Sequence, residues 1–556
     1  MSGFSYRILS HNNKIMVIIP HEDDEINVAG TVITGARQEG LQVICIFVTN
    51  GDWECPAEVR YKEALQSLQV LGVPREDIIF LGYPDGGIHA ERSVWVHGVD
   101  QAVSVLGHTK TSGIYGIPEY SMQSQGRHSS YTKKCFLTDL ESVILKYQAG
   151  CIICVDFDFH PDHRMCSLGF ENVMGRILRR ERNAYKPLVL KGFAYSTAFE
   201  SVPDFYGINL QSSIVNQSIV WNQSYDTDQP SYEWEKRVRL PVPANCRSRY
   251  LHQNKIFKAL SSHVSQKAIG RADRIINGDQ VFWERRTDNL LHQGQLTVSS
   301  GCAEYLSDFI LMDVRDIAPR VPEVHKCAWI PGKNDPQKFC KCTFKKPEHI
   351  EKVVLYGNIE QDSRIMRGKL IFSTGYWCAV GEFKPHGQAM NISVPPQDDV
   401  EWVEFRVLET EGDHAGIAEW EIFSTLRSPL QLIHITVNGQ FAYDWNAASA
   451  SDIKNIDLYM YGIENKVRWF VDGKSRSLEE IHNMKSRACI IRAEVENHPE
   501  LSNEICWRPY TVMNRLQDCM KYLWDRFMVR LEIYREKPIH HKIKNQIRER
   551  AMMSKK

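Results

Sequence analysis

Short apolar runs alternate with amphipathic stretches through the first half of the chain. Five runs are long enough for buried strands, at residues 15–19, 43–48, 78–81, 151–157 and 187–194. The stretches at 26–39 and 60–71 are predicted as helices, and Thr138-Asp139-Leu140-Glu141 has the form of a capping box that opens another. Strands that alternate with helices predict an α/β fold built on a doubly wound, mostly parallel sheet.

Beyond about residue 300 the pattern changes to short β segments separated by turns. Segments at 350–356, 368–373, 390–394, 402–408 and 418–423 have the alternation and spacing of an antiparallel sandwich. Segments at 432–437, 457–461, 467–471 and 488–495 predict a small immunoglobulin-like sandwich with Trp469 in its core. The expected domains are an α/β unit at 1–300, two all-β sandwiches at 301–426 and 427–500, and a C-terminal helix with a tail at 501–556.

The last segment carries a helical stripe of apolar residues, Met513, Leu516, Met520, Leu523 and Phe527. Arg530 interrupts the stripe before a long coiled coil can form, so packing against the body or against a partner subunit in a homo-oligomer is expected. Beyond Pro538, residues 539–556 combine an isoleucine face with six basic residues against one acidic, a local charge of +5. Such a tail could contact an anionic membrane or could be a solvated end.

A chain of 556 residues is too long for one domain, and length alone suggests three or four. A hydrophobic fraction of 43%, a charged fraction of 24% and a net charge of -1 are ordinary for a soluble protein and give no argument for nucleic acid. No run approaches the roughly eighteen apolar residues of a membrane helix. The first apolar run leads directly into His21, so a signal peptide is not expected, and fifteen cysteines without regular spacing indicate reduced thiols in a cytoplasmic protein.

Two polar clusters follow two of the predicted strands. His21-Glu22-Asp23-Asp24 comes directly after the run at 15–19, and His160-Pro161-Asp162-His163 follows the run at 151–157. If both strands are parallel in one sheet, the clusters lie at the edge where open α/β sheets bind ligands. A catalytic zinc site takes about three protein ligands, which His21, Asp24 and His163 would supply. The residues then left for support and proton transfer are Glu22, Asp23, His160 and Asp162.

Each cluster has a simpler explanation when it stands alone. The carboxylates at 23–25 could merely stabilise the N-terminus of the following helix, and two histidines three positions apart are common in loops. Together, each after a strand of the same kind and with suitable ligand chemistry, the clusters favour a metal site.

The clusters resemble the signature of the PIG-L/LmbE-like deacetylases, zinc hydrolases that remove acetyl groups from N-acetylglucosamine-type sugars. His-x-Asp-Asp-Glu at 21–25 and His-Pro-Asp-His at 160–163 carry the resemblance. It extends over roughly residues 11–290, with further matches at Asn50-Gly51-Asp52, Arg60-x-x-Glu63-Ala64 and Leu81-Gly82-Tyr83-Pro84-Asp85-Gly86. Family members usually have proline where this chain has Glu22.

The resemblance implies zinc, or another divalent metal such as Fe2+, on three ligands: His21, Asp24 and His163. It implies that Asp23 is the general base and that His160, oriented by Asp162, stabilises the oxyanion and protonates the leaving amine. Arg60 and Asp85 fall in segments that line the sugar pocket in the family. Their alternative roles are a surface salt bridge and a turn residue.

The segment beyond residue 300 resembles a discoidin-like jelly roll of the sort used as a carbohydrate-binding module. The matching stretches are residues 353–356, 369–373 and 416–421. The resemblance implies that Trp329, Tyr376 or Trp377, if exposed, could stack on sugar rings, although sandwich cores also use aromatic residues.

The sequence therefore predicts a cytoplasmic, metal-dependent N-deacetylase that hydrolyses the acetamide of an N-acetylhexosamine unit in a glycoconjugate, in keeping with cell-surface glycan biosynthesis. Contact of residues 539–556 with the inner face of the membrane would suit a lipid-linked substrate. Two alternatives stay open: a deacetylase of a small glycosylated metabolite or thiol, and a catalytically inactive glycan-binding or assembly protein. The appended segments count against the first, and the intact polar clusters count against the second.

Overall fold

The computed structural model describes residues 4–87, 89, 92–97, 100–158, 160–180, 184–194, 199–200, 207–215, 232–311, 328–360, 362–449 and 451–553. None of the helices in these ranges is long and apolar enough to span a membrane. Along the chain, a mostly parallel sheet with helices is followed by two groups of mainly antiparallel strands and by one long helix.

The first region contains nine of the described strands and eight of the described helices. The strands are β1 (Lys14–Ile19), β2 (Gln42–Thr49), β3 (Ile78–Tyr83), β4 (Cys151–Val155), β5 (Leu188–Gly192), β6 (Phe199–Glu200), β7 (Ile214–Val215), β8 (Val238–Pro241) and β9 (Asp279–Arg285). The helices are α1 (Asp24–Gln38), α2 (Ala57–Leu71), α3 (Val94–His97), α4 (Tyr120–Gln125), α5 (Lys133–Tyr147), α6 (Pro161–Leu178), α7 (Lys255–Leu260) and α8 (Ala272–Ile275).

Seven of these strands form one sheet in the order β3-β2-β1-β4-β5-β9-β8. The first five in that order are parallel, whereas β9 and β8 are antiparallel to their neighbours. The predicted doubly wound, mostly parallel sheet is therefore confirmed. The chain leaves β1 toward β2 on one side and returns to β4 on the other, so a crevice opens beyond the carboxyl ends of β1 and β4.

Local sequence explains where the elements beside this crevice begin and end. Five of the six residues of β1 are fully buried, and the register pairs Ile18 with Cys154 of β4. Helix α6 begins at Pro161, because a proline ring fits the first helical position and needs no hydrogen-bonded N–H there. His160 is the residue that caps this helix.

The predicted helix start at residue 138 is wrong. Helix α5 begins at Lys133, after Thr132, whose side chain accepts a hydrogen bond from the backbone N–H of Cys135. Thr138 lies inside the helix, where its hydroxyl donates to the carbonyl oxygen of Lys134. A threonine followed three residues later by a glutamate is a capping box only when the preceding residues are not already helical.

The second region is an antiparallel arrangement of six strands. They are β10 (Gln295–Val298), β11 (Phe339–Gly357), β12 (Arg364–Phe372), β13 (Trp377–Val380), β14 (Ala389–Glu411) and β15 (Ile417–Phe423). The predicted segments at 390–394 and 402–408 belong to one strand, β14, which pairs with β11 through several register shifts. Such shifts bend long strands, so β11 and β14 stay paired on both sides of the bend.

The aromatic residues of this region differ in exposure. Trp329 is fully buried and donates from its indole nitrogen to the carbonyl oxygen of Ser300, so the alternative of a core residue holds for it. Trp377 is 55% exposed, and Lys369 Nζ lies 4.1 Å from the centre of its ring. Tyr376 is partly exposed. Of the three predicted residues, only Trp329 is therefore unavailable for stacking on a sugar.

The third region packs two small sheets against each other. Its strands are β16 (Leu432–Val437), β17 (Gln440–Phe441), β18 (Asp444–Ala447), β19 (Ile456–Tyr461), β20 (Val467–Val471), β21 (Lys474–Arg476), β22 (Cys489–Val495) and β23 (His498–Pro509), with α9 (Leu478–His482) between β21 and β22. Trp469 lies in the core that the sheets share. Strand β23 has no predicted counterpart.

A single helix, α10 (Val512–Met553), follows and continues through Pro538. It is held to the first region by Asp518, which pairs with Arg249, and by Asp525, which accepts from the backbone N–H groups of Leu251 and His252. The apolar stripe that begins at Met513 faces away from the body, so its predicted packing against the body is wrong. Of the predicted basic tail, residues 554–556 lie outside the described residues.

We expect Asp525→Ala to loosen α10. Asp525 is 4% exposed and accepts hydrogen bonds at 3.0 Å from Leu251 N and at 3.2 Å from His252 N. Its removal leaves one buried and one partly buried N–H donor unpaired, at a cost of about 1–3 kcal/mol. Limited proteolysis should then cut within residues 512–553 faster than in wild type, with Lys521→Ala as a control on the same helix. Equal cleavage rates in the two variants would contradict this anchoring role.

Candidate metal centre

The residues predicted to bind metal lie in two neighbouring loops at the carboxyl edge of the first sheet. His21 follows β1, and Asp24 is the first residue of α1. His163 lies in the first turn of α6, which follows β4. Because β1 and β4 are paired in the sheet, the two loops meet although about 140 residues separate them in sequence.

Three donor atoms from these loops form a compact triangle. His21 Nδ1 lies 3.1 Å from Asp24 Oδ2, and His163 Nε2 lies 3.3 Å from each of those atoms. Ligand atoms about 2.0–2.1 Å from a tetrahedral zinc ion are about 3.3–3.4 Å apart. The triangle therefore has the size that such an ion requires, and all three side chains are buried.

The second ring nitrogen of each histidine faces another carboxylate. His163 Nδ1 lies 2.7 Å from Asp158 Oδ2, and His21 Nε2 lies 3.1 Å from Asp162 Oδ2. Both aspartates are fully buried. Such pairs fix the tautomer and ring orientation of metal-binding histidines, so both imidazoles are already set with one nitrogen toward the triangle.

The carboxylate of Asp162 contacts His21, whereas it was predicted to orient His160. Asp162 Oδ2 also accepts a hydrogen bond from the backbone N–H of Gly86 at 3.0 Å. The contact between Asp162 and His160 is made by the main chain: Asp162 N–H donates to His160 Nδ1 at 3.3 Å. This contact leaves His160 at the start of α6, with its ring 4.7 Å from the ring of His21.

Two other groups of donor atoms in the described residues share His21. One combines it with His160 and His163, and the other with Asp85 and Asp162. In the second group Asp85 Oδ1 is 3.7 Å from His21 Nε2, farther than the edge of a tetrahedral zinc site. The triangle with Asp24 is the group in which every measured edge matches that size.

The buried carboxylates give the site a negative potential. Burial opposes protonation of His163, but Asp158 and Asp24 outweigh it and raise the pKa of His163 to about 9. The pKa of His21 is likewise raised well above its ordinary value, because Asp85 and hydrogen-bonding carboxylates outweigh burial. The protein alone thus holds protons on these imidazoles, and a divalent cation would have to displace them.

Asp23 is held by two arginines, one on each carboxylate oxygen. Arg60 Nη2 lies 3.2 Å from Oδ1, and Arg271 Nη2 lies 2.6 Å from Oδ2. Burial raises the pKa of Asp23, but the two guanidinium groups outweigh it and keep that pKa below its ordinary value. Asp23 is therefore ionised at neutral pH and fixed beside the triangle, in the state that accepts a proton.

Glu22 is fully buried behind Asp23. Within the described part of the chain, neither of its carboxyl oxygens accepts a hydrogen bond, and Arg60 Nε is 3.6 Å from Oε2. Burial raises the pKa of Glu22 to about 8, although Arg60 acts in the opposite direction. Gly51 makes room for this side chain: it has a φ of +62°, and a Cβ there would lie 2.3 Å from Glu22 Oε2.

Arg60 and Asp85 are both buried, at 5% and 6% exposure, so neither forms a surface contact. Arg60 points to Asp23, and Asp85 lies beside His21 while it accepts a hydrogen bond from Gly87 N–H at 2.8 Å. Sequence reasoning missed Asp158 and Arg271. Asp158 could have been found as a carboxylate directly after a predicted strand, whereas Arg271 has no local signal.

Residues 16–174 match the model of the PIG-L family, described as GlcNAc-PI de-N-acetylase. This region contains four of the five parallel strands and both polar clusters, so the chain carries a PIG-L domain, as the clusters predicted. Residues 289–423 match a second model, described as a domain of unknown function (DUF7402). No curated protein matches the chain.

Solved structures align with separate parts of the chain. N,N'-diacetylchitobiose deacetylase from Pyrococcus horikoshii is 18% identical, with a TM-score of 0.23, over 33% of this chain and 62% of that one. The chain thus spans less than two thirds of that structure. The family 32 carbohydrate-binding module of NanJ from C. perfringens is 11% identical, with a TM-score of 0.18, over 24% of this chain and 95% of that one. The corresponding module of EndoD from Streptococcus pneumoniae is 12% identical, with a TM-score of 0.18, over 25% and 99%.

We expect Glu22→Gln to stabilise the metal-free protein in a pH-dependent way. Burial raises the pKa of Glu22 to about 8 in the folded protein from the ordinary 4.5, so the free energy of unfolding falls as pH rises between these values. The glutamine variant lacks this loss. Its advantage in free energy of unfolding should therefore be at least about 1 kcal/mol larger at about pH 8 than at about pH 5.

Urea unfolding in the presence of a chelator measures this difference. Glu76→Gln, which changes an exposed glutamate, is the matched control and should show no such pH dependence. The same advantage for Glu22→Gln at both pH values would show that Glu22 is ionised throughout.

Proposed function

We propose that the chain is a metal-dependent N-deacetylase that hydrolyses the acetamide of an N-acetylhexosamine unit in a glycoconjugate. The observation that carries this proposal is the triangle of His21 Nδ1, Asp24 Oδ2 and His163 Nε2, with edges of 3.1–3.3 Å. The match to the PIG-L family, described as GlcNAc-PI de-N-acetylase, supports the reaction and the sugar class.

In this proposal His21, Asp24 and His163 hold the metal, with Zn2+ as the first candidate and Fe2+ as the second. When bound, the ion supplies a Lewis acid for the acetamide oxygen and lowers the pKa of a water molecule. Asp162 and Asp158 orient the two imidazoles through their outer nitrogens. The donor set, two imidazoles and one carboxylate with supporting carboxylates, is of the kind that catalytic zinc sites use.

Asp23 is the general base. Its neighbours in sequence on either side are Glu22 and the ligand Asp24, yet its own carboxylate is held by Arg60 and Arg271 and not by the triangle. In this role it takes a proton from water at the centre without acting as a ligand. Arg60 and Arg271 serve as positioning residues, since each fixes one of its oxygens.

His160 is the proton donor to the leaving amine. Burial and the neighbouring rings of His21 and His163 lower its pKa well below the ordinary value, so the imidazole is neutral at rest. It therefore has to take up the proton that Asp23 removes from the attacking water, and it then gives that proton to the amine nitrogen as the C–N bond breaks. The main-chain contact with Asp162 holds its Nδ1, which directs the opposite side of the ring outward. Asp85, beside His21, is the residue we assign to a hydroxyl group of the sugar.

The setting is part of the proposal as well. We place the reaction in the cytoplasm, in the biosynthesis of a cell-surface glycan, where the second region could bind carbohydrate through exposed Trp377. A membrane-associated substrate would explain the basic tail at 539–556. A small glycosylated metabolite is the alternative substrate, and a glycan-binding protein without activity is the alternative from another class.

The metal assignment predicts different outcomes for ligand and base variants. His163→Ala should lose most bound metal because it removes one corner of the triangle. Asp23→Asn should keep the metal and lose turnover by about a hundredfold or more, the scale of a general base. Asp158→Asn should weaken metal binding by about 10–100-fold, because the Asp158 carboxylate orients the imidazole of the ligand His163. Elemental analysis and chelator titration measure all three, and stoichiometric metal in His163→Ala would refute the assignment.

The activity itself is tested with the purified full chain and a panel of N-acetylated sugars. Acetate should be released from N-acetylhexosamine glycosides, in amounts equal to the free amine formed. Chelation should abolish release, and Zn2+ or Fe2+ should restore it. Release only from small glycosylated thiols or metabolites would select the alternative substrate, and no release with metal bound would favour the binding protein. Asp23→Asn is the control for a contaminating deacetylase.

A further inference from the structure

The first half of α10 displays a row of large apolar side chains to solvent. Eight of them are 59–73% exposed: Val512, Met513, Leu516, Met520, Leu523, Trp524, Phe527 and Tyr534. With about 100° of rotation per residue, they fall within an arc of about 120° on the helix surface. We call this arc the apolar face of α10.

The opposite side of the same helix is fixed to the first region. Three acidic residues spaced seven positions apart make the contacts: Asp518, Asp525 and Glu532. Asp518 Oδ1 accepts from Tyr250 Oη at 2.7 Å, Asp525 accepts from the backbone of residues 251 and 252, and Glu532 lies 3.0 Å from His252 Nε2. Rotating the helix to bury the apolar face would break all of these contacts, so the face is held outward.

The size of the apolar face is unusual for a single soluble chain. Eight large side chains at this exposure present on the order of 1,000 Å2 of mostly apolar surface, whereas the largest patch on a typical monomer is about 300–600 Å2. Two such faces packed together would bury more than the roughly 1,000 Å2 that a specific interface needs. The area is therefore sufficient for a stable dimer.

We propose that the apolar face of α10 binds the same face of a second copy of this chain, in an antiparallel helix pair centred near Met520. The spacing of the apolar residues favours a helical partner. Positions 513, 516, 520, 523 and 527 follow one another at intervals of three and four, which are the a and d positions of a heptad. The anchoring residues at 518, 525 and 532 then occupy f positions, opposite the seam. The two bodies therefore lie on opposite sides of the pair and do not obstruct it.

The position of Arg530 favours an antiparallel over a parallel helix pair. In a parallel pair the two Arg530 side chains would face each other at a d position, whereas an antiparallel pair centred near Met520 places them at opposite ends. The border on one side of the apolar face contains Gln517 and Met528, and its Lys521 lies over the ring of Tyr250, 5.7 Å from the ring centre. The border on the other side contains Arg526 and Arg530. The choice of a second copy over a lipid surface therefore depends on the heptad spacing and on the area of the face.

The mass of the full chain in solution tests the proposal, independently of the deacetylase function. Light scattering after gel filtration at micromolar concentration should give twice 64.2 kDa. Leu516→Glu with Leu523→Glu places charges in the seam and should weaken the dimer by at least about tenfold. Lys521→Glu, which changes the net charge by the same amount outside the apolar face, should leave the dimer intact. A monomer in wild type, or a dimer in the seam variant, would overturn the proposal.

Cys519 reports the direction of the helices. It is exposed and occupies a g position, and g positions face each other across an antiparallel pair. A short bifunctional thiol reagent should therefore link two copies through Cys519, with loss of the product in Cys519→Ser but not in Cys302→Ser, which removes the other thiol that is exposed among the described residues. A dimer without this cross-link would reject the antiparallel arrangement. A monomer that sediments with anionic vesicles through the same face would replace the second copy by a membrane.

Discussion

The parallel pairing of β1 with β4 is the constraint on which the site depends. The polar loop after either strand alone does not supply all three of the candidate metal ligands. Once Ile18 is paired with Cys154, the loop after β1 and the start of α6 share one edge of the sheet. The helices at this edge begin within the site, and their free N–H groups and dipoles favour the anionic groups gathered there. The fold thus concentrates carboxylates at a place where the backbone already stabilises them.

Charge balance is the second organising feature. Four carboxylates, those of Asp24, Asp85, Asp158 and Asp162, surround two imidazoles, and Asp23 stands slightly apart with two guanidinium groups. Such buried charges would destabilise an isolated site. In the proposed function, the four carboxylates attract the metal ion, and the two guanidinium groups keep the Asp23 carboxylate ionised and separate from that ion.

The sequence allowed much of this site to be predicted, because its chemistry is local. His21, Asp24 and His163 stand directly after apolar strands, and strand order alone brings them together. Asp158 was accessible by the same rule, whereas Arg271 reaches Asp23 from 248 residues away through tertiary folding. Local rules failed where context decided the outcome, since Thr138 matches a capping pattern inside a helix that had already begun.

The C-terminal helix also reaches the rim of the candidate site. His540 Nδ1 donates to the carbonyl oxygen of Ser265 at 2.7 Å, and Lys544 Nζ lies 2.5 Å from Glu54, in the loop that also carries Asp52. Residues 512–553 are synthesised after every other described element. During translation the rim around Glu54 therefore stays without this support until the helix has left the ribosome. The outer wall of the candidate site is therefore complete only after this helix has packed against the first region.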